Sequence, residues 1–195
     1  MRDVVIVGAG VAGSSLAVVL STLGWDVLLV ERRHLPQHKV CGEFLSPESQ
    51  ASLHALGLYT TVAKLGPSHM SRALLTSRGG RRVHVALPGE AWGVSRFALD
   101  TALADAARSA GADVRMGVTV THMTQGREGA TVELRTGQEG SVVKTRAVVL
   151  ACGRHTLSSL RPSIQATPVD RTYVGVKCHY EAVSMPSRME LYFFP

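Results

Sequence analysis

An α/β fold with a Rossmann-like, parallel-stranded core is predicted for this 195-residue chain by three features of its N-terminal segment. Val4-Val5-Ile6-Val7 is an unbroken apolar run, as expected of a parallel strand covered by helices on both faces. It leads into Gly8-Ala9-Gly10-Val11-Ala12-Gly13, the glycine spacing of a dinucleotide-binding turn. A second expected strand, Trp25 to Val30, is followed by an acidic residue, Glu31.

Each part of this opening has a mechanical reason. Gly8 permits a tight turn, Gly10 lets the backbone approach a pyrophosphate, and Gly13 lets the following helix sit close to the sheet. Phosphates would meet the unpaired backbone N–H groups of a helix N-terminus. Residues 11 to 23 have no strongly polar face, so this helix is expected to be buried, with Gly24 as a left-handed stop. Glu31 then stands where an adenosine ribose offers its hydroxyls, and its negative charge favours a ribose without a 2′-phosphate, as in FAD or NAD. The fingerprint alone does not separate those two.

Further along, Ser46 before Pro47 and Glu48 reads as the N-cap of a helix running to about Leu56 and ended by Gly57. Residues 71 to 87 read as a hairpin around Gly79-Gly80, with Val83, Val85 and Leu87 alternating with His84 and Ala86. Arg78, Arg81 and Arg82 read as its solvated turn. Ser95 caps a second helix, Phe97 to Ala110, with Leu99, Leu103, Ala106 and Ala110 on one face and Gly111 after it. A β-meander of short strands follows: Asp113 to Met116, Val118 to Thr124, Ala130 to Thr136 and Ser141 to Arg146. Ala147 to Ala151 is wholly apolar and is predicted to be another buried parallel strand. Residues 173 to 180 and 188 to 194 read as strands of a new sheet. The β-rich stretches near 60 to 92 and after 161 suggest a second domain woven into the first.

Composition narrows the function. The net charge of +6 comes from 17 Arg and 4 Lys against 15 acids, and the arginines are scattered. A nucleic-acid groove needs clustered basic residues and aromatic platforms, and aromatics are only 5%, so no nucleic-acid partner is expected. Cys41, Cys152 and Cys178 lack metal-ligand or redox-pair spacing and read as reduced thiols of a cytoplasmic protein, with no metal site. Met1 lies two residues before the first strand, so no signal peptide is expected, and no apolar run is long enough to span a membrane. No obligate protein partner is inferred.

With these residues in hand, the chain resembles the FAD-dependent oxidoreductases of the geranylgeranyl reductase and para-hydroxybenzoate hydroxylase group. Lys39-Val40-Cys41-Gly42-Glu43-Phe44-Leu45-Ser46-Pro47 is similar to the Lys-x-Cys-Gly segment that lies against the flavin in the reductase branch. Ser95-Arg96 with Leu99-Asp100 and Leu103 is similar to the Arg-x-x-Leu-Asp helix start whose arginine reaches the cofactor. Ala151-Cys152-Gly153-Arg154-His155-Thr156 and Arg161 occupy the place of the Ala-Asp-Gly-x-x-Ser motif and its following Arg. There Cys152 replaces Asp, Thr156 replaces Ser, and Arg161 falls two residues late. A thiol does not accept hydrogen bonds as a carboxylate does, which leans away from a typical aromatic hydroxylase. The halogenase segment Trp-x-Trp-x-Ile-Pro is absent.

The resemblance implies FAD as cofactor, with NAD(P)H as a further expected electron donor. It places cofactor contacts at Gly8, Gly10, Ala12, Gly13, Glu31, Arg32, Cys41, Gly42, Phe44, Arg96 and the backbone of Val120. Arg96 is expected on a phosphate or the ribityl chain. For Arg32 a solvent-facing position stays open. Cys41 is the weak catalytic candidate: either its thiol tunes the flavin or supplies a proton, or only the Cys41-Gly42 backbone matters and the thiol is inert. His155 and the other histidines have no partners at catalytic spacing. Cys178, Tyr180, Tyr192, Phe193 and Phe194 line an apolar pocket or belong to an ordinary core.

The fold expected in full is a Rossmann-like FAD-binding domain over 1–58 and 93–160, with the start of an interleaved β-rich substrate domain over 59–92 and 161–195. The expected reaction is hydride transfer through flavin to or from a small apolar, prenyl-like substrate, and peripheral membrane association through that substrate stays open. A flavin monooxygenase is the same-fold alternative. The family's Gly-Asp segment, which holds the ribityl chain and flavin ring, is not found after Arg161. The chain therefore reads as a fragment or as a truncated relative, and a nucleotide-binding remnant without catalysis is the third reading.

Overall fold

The computed structural model describes residues 1–153, 174–182 and 187–194. These fall into two compact units. One contains Met1–Gln37 and the described chain from Leu99 to Gly153; the other contains His38–Ala98 and the described residues from Val174 onward.

The first unit is built on a six-stranded sheet in the order β6-β2-β1-β9-β8-β7. Its strands are β1 (Arg2–Val7), β2 (Val27–Glu31), β6 (Asp113–Met116), β7 (Val118–Gly126), β8 (Gly129–Thr136) and β9 (Glu139–Leu150). β1 pairs in parallel with both β2 and β9, and β2 with β6, so β1 is central. The period of two in a strand explains its apolar run. Val4 and Ile6 face one way and pack with Val27, Leu29, Ala17, Ala107 and Ala112. Val5 and Val7 face the other way and pack with Leu28, Val30, Val118, Val120, Val132 and Leu134. Each Val, Leu or Ile side chain removed from water in this way contributes about 1.5–3 kcal/mol.

Two helices complete this unit's nucleotide-binding pattern. α1 (Val11–Thr22) is mostly buried or half-buried and stops at Leu23 before the left-handed Gly24 (φ +83°). α4 (Arg96–Ser109), whose first three residues belong to the second unit, buries Leu99, Leu103, Ala104 and Ala107. Its N-terminus is capped as expected, with Phe97 N donating to Ser95 Oγ at 3.1 Å.

The sequence expectations fail locally in two places here. Trp25 is not part of β2; it is 45% exposed, and the strand begins at Val27. The Ser141–Arg146 and Ala147–Ala151 segments are not separate strands but one, β9. Its first half pairs antiparallel with β8 and its second half parallel with β1, and Thr145 takes part in both ladders.

The second unit holds a four-stranded sheet in the order β10-β4-β5-β3, formed by β3 (Phe44–Leu45), β4 (Ser68–Thr76), β5 (Arg82–Gly93) and β10 (Arg188–Tyr192). β4 and β5 make the hairpin around Gly79-Gly80, where Gly80 N donates to Ser77 O at 2.9 Å and Gly80 has φ +74°. The register shifts between Met70 and Arg72, where Pro88-Gly89 interrupts β5. α2 (Pro47–Ala55) and α3 (Tyr59–Ala63) complete the described part.

Residues 38–58, expected with the nucleotide fold, lie in this second unit because Phe44 and Leu45 pair with Gly93 and Trp92 of β5. Ser46 does sit at the N-cap of α2 but makes no side-chain cap; its Oγ lies 3.2 Å from Ser49 Oγ instead. Residues 174–180 are not a strand, whereas 188–192 are. Cys178, Tyr180, Tyr192, Phe193 and Phe194 are all exposed, so in this structure they form neither a core nor a closed pocket.

Candidate functional site

The turn between β1 and α1 is shaped by two glycines that tolerate no side chain. Gly8 has φ +110°, and a Cβ there would lie 2.5 Å from the carbonyl oxygen of Ala151 at the end of β9. A Cβ on Gly13 would lie 1.9 Å from the carbonyl oxygen of Gly8, so α1 rests directly on the turn. Backbone hydrogen bonds fix the same corner: Gly8 N to Val30 O at 2.7 Å and Ala151 N to Val7 O at 2.8 Å.

Gly10 is the N-cap of α1, in extended conformation, and supplies no side chain. No acidic residue occupies the first turn. The positive end of the helix is thus left without a neutralising group of its own, which is the setting in which a helix N-terminus receives a phosphate. Ala12 is exposed on that first turn.

Glu31 closes the corner. The residue is almost wholly buried, at 9% exposure, and its burial is compensated: Oε2 accepts Ala9 N at 3.0 Å and Oε1 accepts Arg33 N at 3.1 Å. A carboxylate offers about four lone-pair directions. Two amides therefore hold Glu31 rigid while acceptor capacity remains for sugar hydroxyls. The cleft beside it is lined by Gly8, Glu31, the exposed Arg32, Val120 and Cys152. Immediately after Val120 the ladder with β8 shifts register, a backbone irregularity of the kind found beside binding sites.

Cys152 is the residue of this cleft that the sequence reading treated only as a lost Asp. Its thiol faces Val7 O at 3.5 Å. Arg154, His155, Thr156 and Arg161 lie outside the described residues.

The remaining expected cofactor residues, Cys41, Gly42, Phe44 and Arg96, lie in the second unit. Gly42, Phe44, Val94 and Ser95 line a groove there together with Glu43 and Met70. Gly42 is exposed, and a Cβ on it would meet nothing within 4 Å. Cys41 is half-buried, and its Sγ accepts Glu43 N at 3.4 Å.

What sequence reasoning missed is Glu43. Its Oε1 accepts Arg96 N, the first amide of α4, at 2.6 Å and also bonds Lys177 Nζ; its Oε2 lies 2.9 Å from His179 Nε2. Burial pushes this carboxyl up, but the bonds from Lys177, the Arg96 amide and His179 outweigh it and hold the group down at about 2, from an ordinary 4.5. His179 in turn meets His38 edge-on, and His38 stacks on Phe97. The only hint in the sequence was that Glu43 follows Cys41-Gly42 directly; Lys177 and His179 gave none.

Residues 1–185 match the FAD binding domain family model. The chain belongs to this FAD-binding family. It is 34% identical over 157 residues to a menaquinone reductase of Mycobacterium tuberculosis (strain ATCC 25618 / H37Rv), a match covering 77% of this chain and 37% of that protein. It is 33% identical over 129 residues to a kynurenine 3-monooxygenase of Xanthomonas oryzae pv. oryzae (strain MAFF 311018), covering 58% of this chain and 27% of the relative. Among solved structures, a geranylgeranyl bacteriochlorophyll reductase-like protein of Thermoplasma acidophilum matches with a TM-score of 0.66 at 23% identity, over 77% of this chain and 38% of that one. The fold is thus that of FAD-dependent oxidoreductases, and the chain spans well under half the length of these relatives. Among the described residues no helix is long and apolar enough to cross a membrane.

Proposed function

We propose that this chain supplies the nucleotide-binding part of an FAD-dependent reductase that passes hydride through the flavin to or from a small apolar, prenyl-bearing substrate such as a quinone. The observation that carries the cofactor half of this reading is the corner in which α1 presents its uncapped N-terminus beside the buried Glu31 carboxylate. The first suits a diphosphate and the second a ribose. Gly42, whose missing side chain the protein itself does not require, suits a flat ligand laid against the backbone. The similarity to a menaquinone reductase supports the substrate class.

FAD, once bound, supplies the redox chemistry. The chain's own residues bind and orient it: the Gly8–Gly13 turn for the diphosphate, Glu31 for the ribose, and Cys41, Gly42, Phe44 and Arg96 for the flavin-bearing end. NAD(P)H is the electron donor in this reading. Three cysteines in no disulfide suit a reducing, cytoplasmic compartment, and an apolar substrate would bring the protein to a membrane surface. The monooxygenase reading is supported by the similarity to kynurenine 3-monooxygenase. Cys152, in the position of the hydroxylase Asp, weighs against it.

The test is the visible spectrum of the purified chain, followed by anaerobic reduction with NADPH and addition of a short-chain prenyl quinone. A yellow protein whose reduced flavin is reoxidised by the quinone supports the reductase. NADPH-driven oxygen consumption with a hydroxylated product selects the monooxygenase. A colourless protein that takes up ADP and no flavin contradicts both.

A further inference from the structure

Glu43 adopts φ +55°, a left-handed backbone that is costly for any residue with a Cβ, while Gly42 beside it does not use that region. A turn that needed only a left-handed residue would place the glycine there. The sequence instead puts a glutamate in that conformation, and the side chain explains why.

Every polar group of Glu43 is engaged. Its amide donates to Cys41 Sγ at 3.4 Å, and its carbonyl accepts Val94 N at 2.9 Å. Its carboxylate takes Arg96 N, Lys177 and His179, with only 14% of the side chain exposed. Removing one member of such a half-buried charged cluster is costly, because the charge it compensated is left behind without it.

The geometry points to Glu43 as a positioning residue that locks the Cys41-Gly42 backbone and the first amide of α4 to a single carboxylate, fixing the part of the second unit that receives the flavin end of the cofactor. This rests on the FAD reading above. Glu43 is not required to touch the flavin; it acts through Cys41, Gly42 and Arg96. Lys177 and His179 hold its charge in place.

The experiment compares wild type with Glu43→Gln, Glu43→Ala and Glu43→Gly. Each is titrated with FAD and separately with ADP, and each bound flavin spectrum is recorded. Glycine relieves the backbone cost but loses the carboxylate; glutamine keeps an acceptor for the Arg96 amide but not the charge.

ADP affinity should stay within about twofold of wild type throughout, since its expected site is built from other residues. FAD affinity should fall about tenfold or more in the alanine and glycine variants, with glutamine between, and their flavin absorption bands should differ from wild type. Unchanged FAD affinity and spectrum in the glycine variant would overturn the inference and leave the FAD reading standing. Parallel loss of ADP and FAD in all three variants would also overturn it, in favour of a general stabilising role. Wild type that binds ADP but not FAD would overturn the reading and the inference together.

Discussion

The Gly8–Gly13 turn is anchored by a buried carboxylate and the Cys41–Glu43 turn by a half-buried one, each with different partners. Glu31 accepts two backbone amides, from Ala9 and Arg33, and needs no side chain from elsewhere. Glu43 accepts one backbone amide and two side chains that arrive from 134 and 136 positions away. The first anchor joins residues at the ends of β1 and β2, which pair directly. The second depends on charge and on a distant segment, so acid and remote substitutions reach it.

The largest effect is expected where the first corner has no room. In Gly13→Ala the new methyl would meet the Gly8 carbonyl at 1.9 Å, a backbone atom that moves only if α1 moves. Thermal unfolding should show a loss of about 3 kcal/mol, and ADP binding should vanish. A Gly13→Ala variant that is stable and binds ADP would remove the close approach of helix and turn from the account.

Glu31→Ala ranks next. It strips the Ala9 and Arg33 amides of their acceptor, at about 1–3 kcal/mol for each that stays dry. ADP affinity, read by calorimetry, should fall further than stability alone explains, because the proposed ribose partner is gone as well.

The second corner should show itself in acid. Glu43 is held at about 2 in the folded chain against an ordinary 4.5, by Lys177, His179 and the Arg96 amide, with His38 packed on His179. Its contribution to stability is therefore complete above about pH 4.5 and is lost as pH falls through the folded value near 2. Trp92, buried in the same unit, is the natural fluorescence reporter. In Glu43→Gln the part of the acid slope between those values should flatten; an identical slope in the variant would sever the carboxylate from the pH dependence.

Gly42→Ala is the mildest change. Nothing lies within 4 Å of the added carbon, so stability should move by no more than about 0.5 kcal/mol. Weaker FAD binding at unchanged stability would mark Gly42 as a surface the ligand needs.

The same contrast explains what the sequence made legible. The first corner is short-range: apolar run, glycines, helix and acid follow one another, and each has a local physical reason, so strand, turn, helix and acid are readable residue by residue. β9 reads as two strands in the sequence because Arg146, which breaks the apolar pattern, sits at the change from an antiparallel partner to a parallel one. Trp25 was drawn into β2 by its apolar character, although Asp26 and the turn after Gly24 leave it at the surface. Glu43 was unreadable for a different reason. Its partners Lys177 and His179 carry no spacing signal, and only the fold brings them to it.

The most direct test follows the backbone amides of the chain by heteronuclear NMR during titration with ADP. The account predicts saturable shifts concentrated at Gly8–Gly13, at Glu31 and Arg32, and at Val120. Absence of saturable binding, or shifts that fall instead at the β7–β8 turn and spare those amides, would contradict it.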